Sequence, residues 1–165
     1  MSPDFLEWGY SPIWAKKPMN LINAKYESLD IKPSFKDYET CVFVADGWFE
    51  WQKNSRGEKH PIFIHADNEI FYFAGIKNAS GAAIVTIDAH PSLANIHHRQ
   101  PMFLDRMEIF HWLANRQRIS SVYHSFEYHH YATYHHNKNS CQLVGHLFLN
   151  IVMVLNFVDQ TMQCT

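Results

Sequence analysis

The sequence predicts a mixed α+β fold in which strands dominate and helices decorate them. Two observations carry this expectation. The apolar runs in the front part of the chain are short, rich in β-branched and aromatic residues and broken by turn signals, and only one stretch shows helical spacing. The strand runs are residues 40–44 before Asp46-Gly47, residues 62–64 before Asp67-Asn68, residues 70–75, and residues 82–87 after Ser80-Gly81. The helix is predicted over residues 105–114, where Met107, Phe110 and Leu113 recur at helical spacing and Asp105 stands where a cap is needed.

With 165 residues, 47% hydrophobic and 18% charged, the chain has enough apolar material for one domain with a core. That balance excludes disordered, collagen-like and low-complexity classes. The formal net charge of -2, with twelve histidines neutral, gives no whole-chain case for nucleic acid, so any basic footprint must be local. Cys41, Cys141 and Cys164 lie far apart and form no CxxC pair, which favours a reducing, cytoplasmic setting. Residues 1–7 have neither a basic start nor an apolar run, so no signal or transit peptide is expected there. Residues 147–158 are apolar but shorter than the roughly 20 needed to cross a bilayer, and are expected to be a buried segment rather than a membrane span. No GxGxxG, phosphate loop, HExxH or GxSxG motif is present, so no small-molecule cofactor is implied.

Composition shifts near Arg118. Beyond it only Glu127, Lys138 and Asp159 carry charge, while His124, His129, His130, His135 and His136 alternate with tyrosines. The chain is therefore divided into residues 1–114 and a divergent tail, 115–165. Adjacent histidine pairs invite a metal reading, but the segment has little to hold imidazoles rigid, and no metal site is expected.

Four short segments combine aromatic, glycine and polar residues beyond what packing requires: Trp8-Gly9-Tyr10-Ser11-Pro12-Ile13-Trp14-Ala15, Asn23-Ala24-Lys25-Tyr26-Glu27, Ala45-Asp46-Gly47-Trp48-Phe49-Glu50-Trp51 and Ile96-His97-His98-Arg99-Gln100-Pro101-Met102. Taken from the residues alone, Glu50 between Phe49 and Trp51 is either a solvated carboxylate at a strand end or a partly buried acid with a raised pKa. His97 is either an exposed loop imidazole or a functional side chain held by a rigid scaffold. Lys16, Lys17, Lys25 and Arg99 with Trp8, Trp14 and Trp48 read either as surface charge and core rings, or as a groove for phosphates with faces on which unpaired bases stack. Cys41, on a predicted strand, reads as a core residue.

In order and register these segments resemble the SRAP family, the SOS-response-associated peptidase domain of abasic-site processing proteins. The family pattern runs Trp-Gly-Leu-Ile-Pro-x-Trp-Ala, Asn-Ala-Arg-x-Glu, Pro-Ser-Phe, Ala-Asp-Gly-Phe-Tyr-Glu-Trp, Phe-Ala-Gly-Leu and Ile-His-x-Arg-Met-Pro. Pro33-Ser34-Phe35 and Phe73-Ala74-Gly75-Ile76 extend the match, with Lys25 in place of arginine and Gln100 in place of methionine. The resemblance covers residues from about Trp8 to Leu113 and implies an antiparallel, barrel-like β core with flanking helices, truncated at both ends and prone to associate through open strand edges.

The resemblance further implies binding of single-stranded DNA and a covalent cross-link to the ring-opened aldehyde of an abasic site, with an associated peptidase activity. By motif, Asn23 would hold the amino-terminal residue and the sugar, and Glu50 and His97 would be the acid–base pair. Lys25 and Arg99 would bind phosphates beside the lesion, with Trp8, Trp14 and Trp48 offering rings to bases. The family nucleophile is a cysteine at position 2, several strands before the Trp-Gly segment, whereas this sequence reads Met1-Ser2-Pro3 and reaches Trp8 at once; the nucleophile and its strand are expected to be absent, and Ser2, a weaker nucleophile beside different neighbours, is no substitute by motif. A DNA-binding remnant without covalent chemistry is therefore the alternative. Nothing after Leu113 resembles the family's closing Pro-Val-Ser-x-x-Val-Asn strand, so the tail is expected to be out of register with the ancestral reading frame.

Overall fold

The computed structural model describes residues 2–65, 70–114 and 152–156. In chain order the elements are β1 (Ser2–Leu6), β2 (Asn23–Lys25), two single-turn 3-10 helices (Tyr26–Ser28 and Pro33–Phe35), β3 (Glu39–Ala45), β4 (Gly47–Lys53), β5 (Lys59–His65), β6 (Phe71–Asn78), β7 (Gly81–Asp88), β8 (Arg99–Pro101), α1 (Arg106–Ala114) and β9 (Val152–Asn156). The four sequence-predicted strands appear as β3, β5, β6 and β7. β1, β2, β4 and β8 are not marked by such a run, since three residues of β2 or β8 contain no periodicity to detect, while β9 falls within the apolar stretch 147–158.

One seven-stranded sheet runs β1-β9-β3-β6-β7-β2, with β8 also on β7, and β4 and β5 form a separate two-stranded ribbon. Every pairing is antiparallel except β2 on β7. The sheet ends on β1 at one side and β2 at the other, so the described strands form an open sheet, not the barrel-like core the sequence suggested. An α+β, sheet-dominated fold stands; closure does not, because the two edge strands have no hydrogen-bonded partner strand in common. The tail contributes β9, whose backbone fits between β1 and β3. The remaining tail positions, including the five clustered histidines, lie outside the described residues.

The centre of the sheet is covered on both faces, as its unbroken apolar strands require. Side-chain alternation sends Val42, Ala74 and Ile76 to one face, where Tyr10, Phe35, Met102, Ile109, Trp112 and Leu113 bury them. Cys41, Phe43 and Phe73 point to the other face, towards Ala82, Phe103 and the partly buried Trp48 and Phe71. Cys41 is fully buried, as expected of a core cysteine, and burial pushes its thiol far above the ordinary range.

α1 begins where the sequence placed its cap. Asp105 Oδ1 accepts from the backbone N–H groups of Met107 (2.7 Å) and Glu108 (2.8 Å), and Glu108 Oε2 accepts from the Asp105 N–H at 2.8 Å, a reciprocal capping box. The buried face differs from the predicted one. Ile109, Trp112 and Leu113 face inward, while Met107 and Phe110 are exposed. Trp112 decides the rotation, because its indole N–H donates to the carbonyls of Cys41 (2.9 Å) and Gly75 (3.1 Å) and can do so only from the sheet side.

β6 and β7 pair only from Gly75–Ile84 to Asn78–Gly81 and then diverge. The chain around residues 99–104 fills the gap. Met102 N–H donates to Val85 O (2.9 Å), Ala74 N–H to Met102 O (2.8 Å) and Leu104 N–H to Tyr72 O (2.8 Å), while β8 pairs Arg99 with Asp88. Gly75, where the strands part, has no room for a side chain: a Cβ would collide with the Phe43 ring and stand 2.8 Å from Cys41 Sγ. Gly75→Ala is expected to destabilise the fold by about 1–3 kcal/mol through overpacking, read as a lower urea midpoint at unchanged slope.

Candidate active site

β4 leaves the sheet at Asp46-Gly47, and its alternation turns Trp48, Glu50 and Gln52 inward while Phe49, Trp51 and Lys53 face outward. The bend needs glycine, since a Cβ on Gly47 would lie 2.5 Å from the Ile64 carbonyl oxygen. The inward face of the ribbon meets the connection between β7 and β8. That connection is a tight coil in which the N–H groups of Ile96 and His97 both bond to Leu93 O (2.8 and 3.1 Å), closed at its base by Ala89 N–H to His98 O (3.0 Å). Leu93 packs on Ile62 and Ile64, and Gln52 Nε2 donates to Asn95 O at 3.0 Å. These contacts carry His97 across to Glu50, at a shallow surface cleft whose walls include Trp48, Ile64, Leu93 and Gln100.

His97 Nδ1 stands 3.7 Å from Glu50 Oε2, with the Glu50 side chain 20% exposed and the imidazole 39%. Burial raises the Glu50 pKa, opposed by the nearby His97 charge and by a backbone hydrogen bond at Trp51. Of the two readings the sequence left open, the structure gives the partly buried acid. His97 Nδ1 also faces the Arg99 peptide, 3.2 Å from its N–H and 3.0 Å from its carbonyl oxygen. The N–H requires a lone pair on Nδ1, and the carbonyl requires a proton there. Each protonation state of the ring therefore has a hydrogen-bond partner on one residue, while Glu50 Oε2, at 3.7 Å, stands just beyond direct hydrogen-bonding reach of the same nitrogen.

Arg99 itself is tied down. Nη1 donates to Glu27 Oε1 (3.1 Å) and Asp88 Oδ1 (2.5 Å), and Nη2 to Glu27 Oε2 (2.9 Å) and Thr86 O (2.5 Å), leaving the side chain 10% exposed. Gln100, 2% exposed, accepts the His90 N–H at 2.8 Å through Oε1 and fastens the start of the same loop. Glu27, Asp88 and Gln100 were not singled out from the sequence. Their partners lie 10 to 72 residues away in the chain; Glu27 and Gln100 fall within the segments marked by composition, and Asp88 does not.

The other sequence candidates are spread around this centre. Asn23 and Lys25 are exposed on the edge strand β2, opposite Ile84 and Thr86 of β7, and no hydrogen bond joins Asn23 to Glu50 or His97 among the described residues. Trp14 is 60% exposed, with its N–H on Pro33 O at 3.3 Å, beside the exposed Lys16 and Lys17. Trp8 is half-buried and bonds Ile22 O at 2.8 Å. Trp48 is held edge-on between Phe71, Phe73 and Phe103 at centroid distances of 5.4–5.9 Å and forms the cleft floor. Among the described residues no group of three His, Cys, Asp or Glu is placed to hold a metal, and no helix is long and apolar enough to cross a membrane.

The family described as SOS response associated peptidase (SRAP) matches residues 2–140. The chain belongs to this family. It is 38% identical over 125 residues to the abasic site processing protein YedK of Escherichia coli (strain K12), an alignment covering 68% of this chain and 54% of that protein. The abasic site processing protein YoqW of Bacillus subtilis (strain 168) is 30% identical over 124 residues, covering 66% and 55%, and HMCES of Gallus gallus is 29% identical over 148 residues, covering 66% and 44%. The chain spans about half the length of these SRAP relatives.

The raised Glu50 pKa has a consequence for stability. A carboxyl that holds its proton more tightly when folded stabilises the fold below its unfolded value of about 4.3, and this contribution is lost as pH rises through the higher folded value. Glu50→Gln, which keeps the shape without the charge, is therefore expected to melt at a higher temperature than the parent at neutral pH and at the same temperature near pH 3–4. Thermal melts across pH check this, and a variant less stable at pH 7 would contradict it.

Proposed function

We propose that this chain processes abasic sites in DNA, binding single-stranded DNA and cross-linking to the ring-opened sugar. The observation that carries the reading is the Glu50–His97 pair, half-buried at 3.7 Å with a carboxyl biased towards its protonated form, in a family whose relatives are named for abasic-site processing. Glu50 donates a proton to open the sugar ring, His97 receives or returns one as the adduct forms, and Asn23 holds the sugar from β2. Lys25 takes a phosphate, Trp14 and Trp8 offer rings to bases, and Trp48 floors the cleft. Arg99 contributes to the phosphate path only in competition with Glu27 and Asp88, which already neutralise it. Peptidase activity belongs to the same proposal, through the same acid–base pair.

A second reading has a specific observation behind it. Among the described residues Cys41 is fully buried in the core and does not line the Glu50–His97 cleft, so no thiol described there is placed to close a sulfur-containing ring, and a DNA-binding surface without covalent chemistry follows. Incubating the chain with a single-stranded oligonucleotide carrying one abasic site, then running a denaturing gel with and without borohydride, separates the two. A band that survives denaturation supports the enzyme. Retained non-covalent binding with no band supports the remnant, and absence of both contradicts each.

For the enzyme, Glu50→Gln and His97→Ala are expected to abolish the band while leaving DNA affinity within about twofold, since neither removes a phosphate contact. Lys25→Ala is expected to weaken binding and reduce the salt slope by about 0.7, and Arg99→Ala by less. Equal losses of affinity in all four variants would overturn this division of roles.

A further inference from the structure

The residue whose main chain faces the His97 imidazole on both its donor and acceptor sides is also the residue whose side chain is most firmly anchored. Arg99 meets Glu27 with two parallel bonds of 3.1 and 2.9 Å, a fork-to-fork geometry that fixes the guanidinium in a plane. Asp88 and Thr86 O take further bonds from Nη1 and Nη2 at the end of β7. Glu27 belongs to the 3-10 turn that continues directly from β2, and β2 lies parallel on β7 with Lys25 opposite Thr86. One side chain thus ties together three pieces of backbone: the β2 turn, the end of β7 and β8.

We propose that Glu27 and Asp88 are positioning residues: by gripping the Arg99 guanidinium they hold the Arg99 peptide against His97 Nδ1 and so fix the ring in the orientation that faces Glu50. The groups around the imidazole are Glu50 from β4, His98 with its ring centroid 4.5 Å away, and Arg99 with its two carboxylates. Of these, only the Arg99 peptide touches Nδ1 at hydrogen-bonding distance. Without the grip, the Arg99 peptide is held by the three-residue pairing of β8 and the flanking bonds of His98 and Met102 alone, with no side-chain tie to the β2 turn. The effect on catalysis rests on the acid–base reading of Glu50 and His97; the effect on the His97 ring does not.

The experiment is nitrogen-resolved NMR of the His97 imidazole in the whole chain, without DNA, for the parent and for Glu27→Gln, Asp88→Asn and Arg99→Lys. Asp88 is 88% exposed, so its replacement by asparagine leaves the core untouched. The expected result is that the Nδ1 and Nε2 resonances of His97 shift from their parental positions in each variant. Arg99→Lys belongs in the series because a lysine keeps the charge but cannot form the fork. If the cross-linking assay is positive for the parent, Glu27→Gln is expected to lose rate by about ten- to a hundredfold, in line with misplacement of a reacting group by a fraction of an ångström to an ångström. His97 resonances that stay at their parental positions in Asp88→Asn and Glu27→Gln would overturn the proposal. Resonances that move in a chain that never cross-links would uphold the positioning role and count against the enzymatic reading alone.

Discussion

The divergence of β6 from β7 is the constraint on which the site depends. Beyond Gly75 and Ile84 the two strands no longer pair, and their freed backbone groups would be orphaned in a buried position, each at a cost of about 1–3 kcal/mol. The segment around residues 99–104 satisfies them on both sides, with Met102 bonded to Val85 and Ala74, and Leu104 to Tyr72. Because that segment must enter the sheet, the residues just before it are carried to the sheet end, where His97 and Arg99 lie. The position of the imidazole is thus a by-product of main-chain hydrogen bonding in the core.

A second element completes the site from the opposite direction. The ribbon of β4 and β5 folds over the sheet face on which Trp48 meets three phenylalanines, and the same alternation that buries Trp48 turns Glu50 into the cleft. Aromatic burial and carboxyl placement are one event. It also explains the direction of the Glu50 pKa: the packing that stabilises the ribbon strips water from the carboxyl, and the charge of His97 offsets only part of that loss. A fold that places an acid here gives up some stability at neutral pH, as functional sites commonly do.

Electrostatics at the other end of the site follow the reverse logic. Arg99 is 10% exposed yet carries two carboxylates and a carbonyl, so its charge is balanced locally rather than offered to solvent. A sequence motif marks such an arginine as a contact for an anionic ligand. The structure pairs this guanidinium with Glu27, Asp88 and the Thr86 carbonyl, partners drawn from the β2 turn and β7 that no motif reveals.

The strands β3, β5, β6 and β7, the helix α1 with its Asp105 cap, and the burial of Cys41 were legible in the sequence because each rests on local periodicity, turn residues or a cap within four positions. The resemblance also marked Glu50 and His97, since their motifs are contiguous. Whether the sheet closes was not legible, because closure depends on pairing between edge strands far apart in sequence. The face α1 buries was also not legible, because one indole bond to two carbonyls on the sheet outweighs a weak apolar stripe. Nor was the choice between a solvated and a half-buried Glu50, or the grip of Glu27 and Asp88 on Arg99. Those rest on contacts between residues up to 72 positions apart, which exist only once the chain has folded.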